Sequence, residues 1–450
     1  MGSSTPNGAR FPSRGSGSLT RKELLRFIFW EWIEPLGSAL CIALLVMKFV
    51  VALYVIPTGS MQPTLHGKGD YPHELGDKVL VNKFVYRFQN PQRWDVIVFD
   101  YPFNTITCNR CGQDADRLFS KAKPKVIPNN LFCQSLMCLG RERDLSFIDK
   151  EYIKRCTAIP GDEISIRDGN VILRREGGGW QPSIKTDEAQ NALWVEVYDS
   201  QNLEAMPVKG AKWRFLRQPD SMAWSGRGPL SLAKGSSSTL IFDDNENALK
   251  GYGDKGVQGK APMDALVGDV MLDLTLEAYP KAGTLTLEVN RNRLSHKMEA
   301  DFSKGTWLLK VGDEELGKGK LPQDPRLCFA RLDGRLEVLM DGSRQGYDFS
   351  KGELDQTLSV VPKIRWSGES PITFKKVRVS RDIYYIGGSE AQHFTGPDAS
   401  YKVREGEYFA MGDNSYFSSD SRTWGPVPEE ELIGKALVVL LPFKRIKFIR

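Results

Sequence analysis

Residues 77–88 read DKVLVNKFVYRF and residues 94–102 read WDVIVFDYP, two runs rich in β-branched and aromatic side chains, separated by a turn at Asn90–Arg93. Through Val79 and Val81 the apolar positions recur every second residue, the period that lays one face of a strand on a core. Short strands with Pro, Asn and Gly between them predict a mainly β chain around an all-β core, not alternating helices and strands.

Upstream the character changes. Residues 1–26 are rich in Gly, Ser and Pro with scattered Arg, too polar to bury a core, and are expected to form a disordered basic tail. Residues 27–56 are dominated by apolar side chains, densest in LGSALCIALLVMKFVVALYVI at 36–56, and predict one spanning helix of roughly twenty residues. Arg10, Arg14, Arg21, Lys22 and Arg26 precede it, so the excess of positive charge puts the N-terminus in the cytoplasm and everything after the span outside. A cleavable leader and a buried core helix compete with that reading; the length of the run argues against both.

A chain of 450 residues with 41% hydrophobic content exceeds one ordinary core. Its formal charge of +5 comes from 61 basic and 56 acidic residues spread along the sequence, which argues against a nucleic-acid surface. Residues 173–381 carry a second β pattern. VMLDLTLEAY sets Val270, Leu272, Leu274 and Leu276 on one face against Asp273, Thr275 and Glu277 on the other. TLTLEVN repeats it, RLCFARLDGRLEVLMDGS reads as a hairpin about Asp333-Gly334, and KKVRVSRDIYYI as a closing strand. The expected architecture is a β-sandwich inserted into the first core, with residues 57–172 and 382–450 forming the two parts of that core.

Three segments carry chemistry. PTGSMQPTL at 57–65 presents Ser60 on a Pro-bounded loop, YIKRCTAIPGD at 152–162 presents Lys154 in a strand that Pro160-Gly161 ends, and GDNSYFSSDSR at 412–422 presents Ser418, Asp420 and Arg422. A serine hydroxyl needs a base to attack a carbonyl at neutral pH. Lysine serves only when neutral, so its pKa must fall from about 10.4 to near neutrality, roughly 4 kcal/mol that burial can supply. Asp162 suits nearby backbone donors, and Asp413 and Asn414 suit a turn.

In type and order these segments resemble the serine, lysine and accessory boxes of bacterial-type type I signal peptidases, membrane proteases that cut signal peptides from exported precursors. The resemblance implies an all-β catalytic core, with Ser60 as nucleophile and Lys154 as general base. It further implies that Thr58 helps the Ser60 N–H hold the oxyanion, that Ser418 orients the lysine, and that the Asp420–Arg422 pair braces the site. The expected partners are signal-peptide-bearing precursors and the lipid bilayer of the cytoplasmic membrane, with an unassigned ligand for the sandwich, which looks similar to concanavalin or laminin-G modules. Two departures stand out: Ser415, Tyr416 and Phe417 replace charged and amide residues, and Trp94 stands where the family's strand box has Gly.

Cys108, Cys111, Cys133 and Cys138 fall in a Cys-rich stretch, 104–145, with a C-x2-C then C-x4-C spacing that fits either a structural zinc or two disulfides, and no cofactor is expected in catalysis. Cys41, Cys156 and Cys328 read as packing residues. A Ser-His-Asp hydrolase would need His66 beside Ser60, and the neighbours of His66 supply no motif. Two further readings compete: a membrane-tethered glycan- or protein-binding protein on an inactive peptidase frame, and a self-cleaving Ser-Lys repressor, for which no DNA-binding domain is present.

Overall fold

The structure, a computed structural model, describes residues 21, 29–70, 73–108, 114–119, 145–148, 150–202, 212–215, 230–232, 235–243, 249, 266–349, 356–387, 394 and 399–449. By chain contacts it divides into residues 1–52 and 53–450.

In the first unit a π-helical segment, Phe29–Ile33, leads into α1 (Glu34–Phe49), and apolar side chains such as Trp30, Trp32, Leu36, Leu40 and Leu45 are exposed along it. The expectation of one helix over 27–56 changes in extent: helical backbone ends at Phe49 and does not reach Ile56. The α-helical part has 16 residues, a rise of about 24 Å, and follows directly on the five residues of the π-helical segment. Among the described residues no helix is long and apolar enough to cross a membrane. The remainder of the run, VALYV, is a strand, β1 (Val51–Val55), because its β-branched and aromatic residues before Pro57 favour extended backbone and a sheet takes up their hydrogen bonds.

The chain then forms β2 (Lys78–Asn82), β3 (Val96–Asp100) and β4 (Glu151–Ala158), passes through the short helix α2 (Asp187–Leu193), enters a second pair of sheets that includes β5 (Val270–Leu276), β6 (Arg326–Leu332), β7 (Arg335–Met340) and β8 (Ile372–Arg381), and returns through β9 (Glu407–Met411) and β10 (Leu432–Leu441). The sheet outside the insertion that these strands build has the order β1-β2-β10-β3-β4-β9 and ends on Val427–Pro428. Its pairings are antiparallel where registers are resolved, and β10 separates β2 from β3. Both faces of β4 are covered, so Lys154 and Arg155 are buried although they point opposite ways.

The inserted strands form two seven-stranded antiparallel sheets that share one core. Val270, Leu272, Leu274 and Leu276 face that core, as their alternation predicts. The opposite face of β5 is not simply solvated: Asp273 is buried and takes a bidentate contact from Arg326 at 2.8 and 2.9 Å. The turn joining β6 to β7 is the expected Asp333-Gly334 pair, with φ of 47° and 78°.

Candidate active site

Ser60 sits in a single 3-10 turn, Gly59–Met61, after β1. The turn is held by main-chain contacts: Asn414 donates its backbone N–H to Ser60 O at 3.0 Å and its Nδ2 to Gly59 O at 3.2 Å. Behind it the chain returns so closely that a Cβ on Gly67 would lie 2.3 Å from the carbonyl carbon of Thr58. The residue is only 6% exposed, so a stiff backing fixes the hydroxyl before any substrate arrives.

Lys154 approaches from β4, opposite Ile97 of β3. Its Nζ lies 2.9 Å from Ser60 Oγ and 3.0 Å from Ile153 O, and 5.3 Å from the centre of the Tyr152 ring. Burial draws its pKa down from 10.5 to about 8; Asp420 and Asp413 oppose the fall and Arg422 assists it. A neutral amine at this distance is within reach of the Ser60 hydroxyl proton. Thr58 Oγ1 lies 3.4 Å from Ser60 Oγ.

Ser418 is brought next to this pair without joining it. A Cβ on Gly412 would meet Ser418 Oγ at 2.2 Å and Ser60 O at 2.5 Å, so only glycine lets the two segments close. The hydrogen-bond partners of Lys154 Nζ are Ser60 Oγ and Ile153 O, not Ser418. The Ser418 hydroxyl is buried without a well-formed hydrogen bond, near enough to Asp420 to favour its ionised form. Asp420 caps the four-residue helix Ser421–Trp424 and accepts from Arg422 Nε at 2.9 Å, Arg422 Nη2 at 2.8 Å and the Gly412 N–H at 2.9 Å. Burial alone would raise its pKa; the Arg422 guanidinium, the Gly412 N–H and Ser418 bring it below the usual carboxylate value. Arg422 also donates to Ile386 O at 3.0 Å, to Ser415 O at 2.7 Å and to Ser415 Oγ, which places one of the departing residues inside the brace.

Sequence reasoning missed the hub of the site. Arg155 reaches Asp413 through Nε and Nη2 at 2.7 Å each, the Trp94 carbonyl through Nη1 at 2.8 Å, and Thr64 Oγ1 of the Ser60 segment through Nη2 at 3.0 Å. Asp413, expected only to shape a turn, is its buried counter-charge. Two adjacent cations in an apolar strand were the available signal, since one of them had to enter each face. Asp162 does take the backbone N–H of Ile159 at 3.1 Å, and also clamps Arg93 at 2.6 and 2.7 Å and Arg175 at 2.9 Å. The partner of Ser60 Oγ is a lysine, not a histidine: His66 is engaged through its backbone N–H with Asp77 at 2.9 Å. Cys108 is buried at the end of the strand Phe103–Cys108; Cys111, Cys133 and Cys138 lie outside the described residues.

The family model described as signal peptidase, peptidase S26 matches residues 29–209 and 374–441, passing over most of the inserted sheets. A probable signal peptidase I of Mycobacterium leprae (strain TN) is 29% identical over 148 residues, 32% of this chain and 44% of that protein. Signal peptidase I of Haemophilus influenzae (strain ATCC 51907 / DSM 11121 / KW20 / Rd) is 45% identical over 163 residues, 33% and 40%. A probable signal peptidase I-2 of Synechocystis sp. (strain ATCC 27184 / PCC 6803 / Kazusa) is 36% identical over 145 residues, 32% and 45%. The matches thus span less than half the length of each of these curated relatives. The family match covers more than half of the 450 residues and carries all three chemical segments, so this chain belongs to the signal peptidase, peptidase S26 family.

Proposed function

We propose that the chain is a membrane-attached serine endopeptidase that removes signal peptides from exported precursors, using Ser60 as nucleophile and Lys154 as general base. The observation that carries this reading is the 2.9 Å separation of Lys154 Nζ and Ser60 Oγ, with the lysine buried and its pKa lowered to about 8. Neutral Lys154 takes the Ser60 proton as Oγ bonds to the scissile carbonyl carbon. The oxyanion that forms accepts from the Ser60 N–H and from Thr58 Oγ1, which turns toward it from its present contact with Ser60. The Lys154 ammonium then gives its proton to the leaving amine as the C–N bond breaks. Water, deprotonated by the same lysine, releases the acyl group from Ser60.

Attachment to lipid is supported by exposed apolar side chains beside the catalytic sheet. Phe84, Phe88, Phe443, Ile446 and Phe448 are all exposed, on turns and a short strand that border β10. Basic neighbours Arg87 and Lys444 suit an anionic surface. The apolar, exposed helix of the first unit supports the same attachment. With the N-terminus cytoplasmic, the cutting site would face the outer side of the cytoplasmic membrane.

The test is cleavage of a purified signal-peptide-bearing precursor by the full chain in detergent micelles. Ser60→Ala and Lys154→Ala should each lower cleavage by at least a thousandfold while circular dichroism and melting stay those of a folded protein. Cleavage retained by either variant excludes the dyad, and a binding protein on an inactive frame then becomes the better reading.

A further inference from the structure

The tip of a two-residue β-turn is ordinarily its most solvated part, yet Asp333 at the β6–β7 turn is 3% exposed. The hairpin drives this carboxylate onto Lys185, whose Nζ donates to Asp333 at 2.6 and 2.8 Å and to Asp382 Oδ2 at 2.8 Å. Gln190 of α2 donates to the other Asp382 oxygen at 3.0 Å, and Asp269, paired with Arg331, accepts the Asp333 backbone N–H at 3.3 Å. Three carboxylates converge within 4.8 Å here, and the Lys185 ammonium lies against two of them. Burial alone would discharge that lysine; Asp333 and Asp382 hold its pKa above the ordinary value.

The other side of Lys185 faces the catalytic sheet. Its Nζ lies 5.2 Å from the centre of the Trp94 ring, and Trp94 Nε1 donates to Ile184 O at 3.0 Å. Trp94 has φ of 74°, a conformation that a residue with a side chain holds only against about 1–3 kcal/mol of strain. Three hydrogen bonds keep it there: the Nε1 contact just described, its N–H to Cys156 O at 2.6 Å, and its carbonyl accepting Arg155 Nη1 at 2.8 Å. Arg155 adjoins Lys154 and holds Thr64, four residues beyond Ser60. A continuous line of contacts therefore runs from the buried hairpin tip to both members of the dyad.

We propose that Trp94 and Lys185 are positioning residues through which the inserted β-sandwich sets the geometry of Ser60 and Lys154, making the sandwich part of the catalytic apparatus and not a spacer. The proposal rests on the Ser60–Lys154 reading above. Around Lys154 stand Ser60, Tyr152, Asp413, Asp420 and Arg422, and none of these touches the sandwich directly in the contacts described. One link is the backbone of β4, steadied by Trp94 through Arg155; another is Thr64 Oγ1, which donates to Ala192 O at 3.5 Å. Loosening the first admits water to Lys154, which raises that pKa from about 8 toward 10.5.

The experiment compares Trp94→Gly and Asp333→Asn with the unaltered full chain in micelles. Glycine adopts the Trp94 backbone freely, so the first variant removes the ring without adding strain. Its kcat is expected to fall about tenfold with KM within twofold, and the rising limb of the pH-rate profile to move up by about one pH unit. Asp333→Asn is expected to move both in the same direction by a smaller amount. NMR titration of the Lys154 side chain in a Ser60→Ala background reads the same pKa without any cleavage. Wild-type kcat together with an unmoved titration in both variants overturns the proposal. If the unaltered protein cuts no precursor, the catalytic reading has failed, and the titration still decides whether the sandwich and Lys154 are coupled. If Trp94→Gly does not fold, Asp333→Asn and its titration decide alone.

Discussion

Lys154 is drawn in two directions, and the balance has a pH signature. Burial lowers its pKa to about 8 while Asp420 and Asp413 resist. A base works only when deprotonated, so kcat/KM for precursor cleavage should rise with pH through a limb centred near 8. A limb centred above 10 would mean that the site is wet. Arg155 allows a second test: Arg155→Met leaves Asp413 charged and alone in a buried site, which should remove about 3–5 kcal/mol of stability, read as a lowered urea midpoint, together with most activity. Ser60 and Lys154 were legible in the sequence because each sits in a motif with a chemical reason for its neighbours. The Arg155–Asp413 pair was not, since its members are 258 residues apart and nothing local distinguishes a buried aspartate from one that shapes a turn. Ser418 was legible as a neighbour of the dyad, but its assigned contact with the lysine is absent: its hydroxyl lies instead toward Asp420.

Among elements, the apolar run that ends at Ile56 divides between helix and strand. Hydropathy joins residues 36–56 into one segment, whereas backbone preference divides them: LGSALCIALLVMKF favours helix and VALYV favours strand. The β alternation of the inserted sheets was more reliable, because a period of two leaves few other solutions for Val270–Leu276. What alternation could not reveal was that the outer face of β5 also carries a buried carboxylate, Asp273, covered by an exposed Arg326 from the neighbouring strand. The rim beside β10 makes its own prediction. Phe88→Ser with Phe443→Ser removes two rings exposed at 74% and 79%. At about 1.5–3 kcal/mol for each ring that lipid would cover, the double variant should bind anionic vesicles at least tenfold more weakly with an unchanged melting temperature. Equal vesicle binding would leave the rim without that role.

At the scale of the whole molecule, the order of strands in space and in sequence diverge. β2 and β3 do not pair with each other; each pairs with β10, which comes more than 330 residues after β3 begins. A chain ended at Glu431 should therefore keep the folded sandwich, visible as a cooperative melting transition, yet show no precursor cleavage; activity in that variant would contradict the placement of β10 at the sheet's centre. Such long-range pairing is slow, because it must wait for distant segments to meet. The consequence is one of timing. While the chain is being synthesised, Ser60 and Lys154 emerge long before β10, the strand that joins the two parts of their sheet, so a protease of the kind proposed above would be held silent by its own topology until residue 441 had been made.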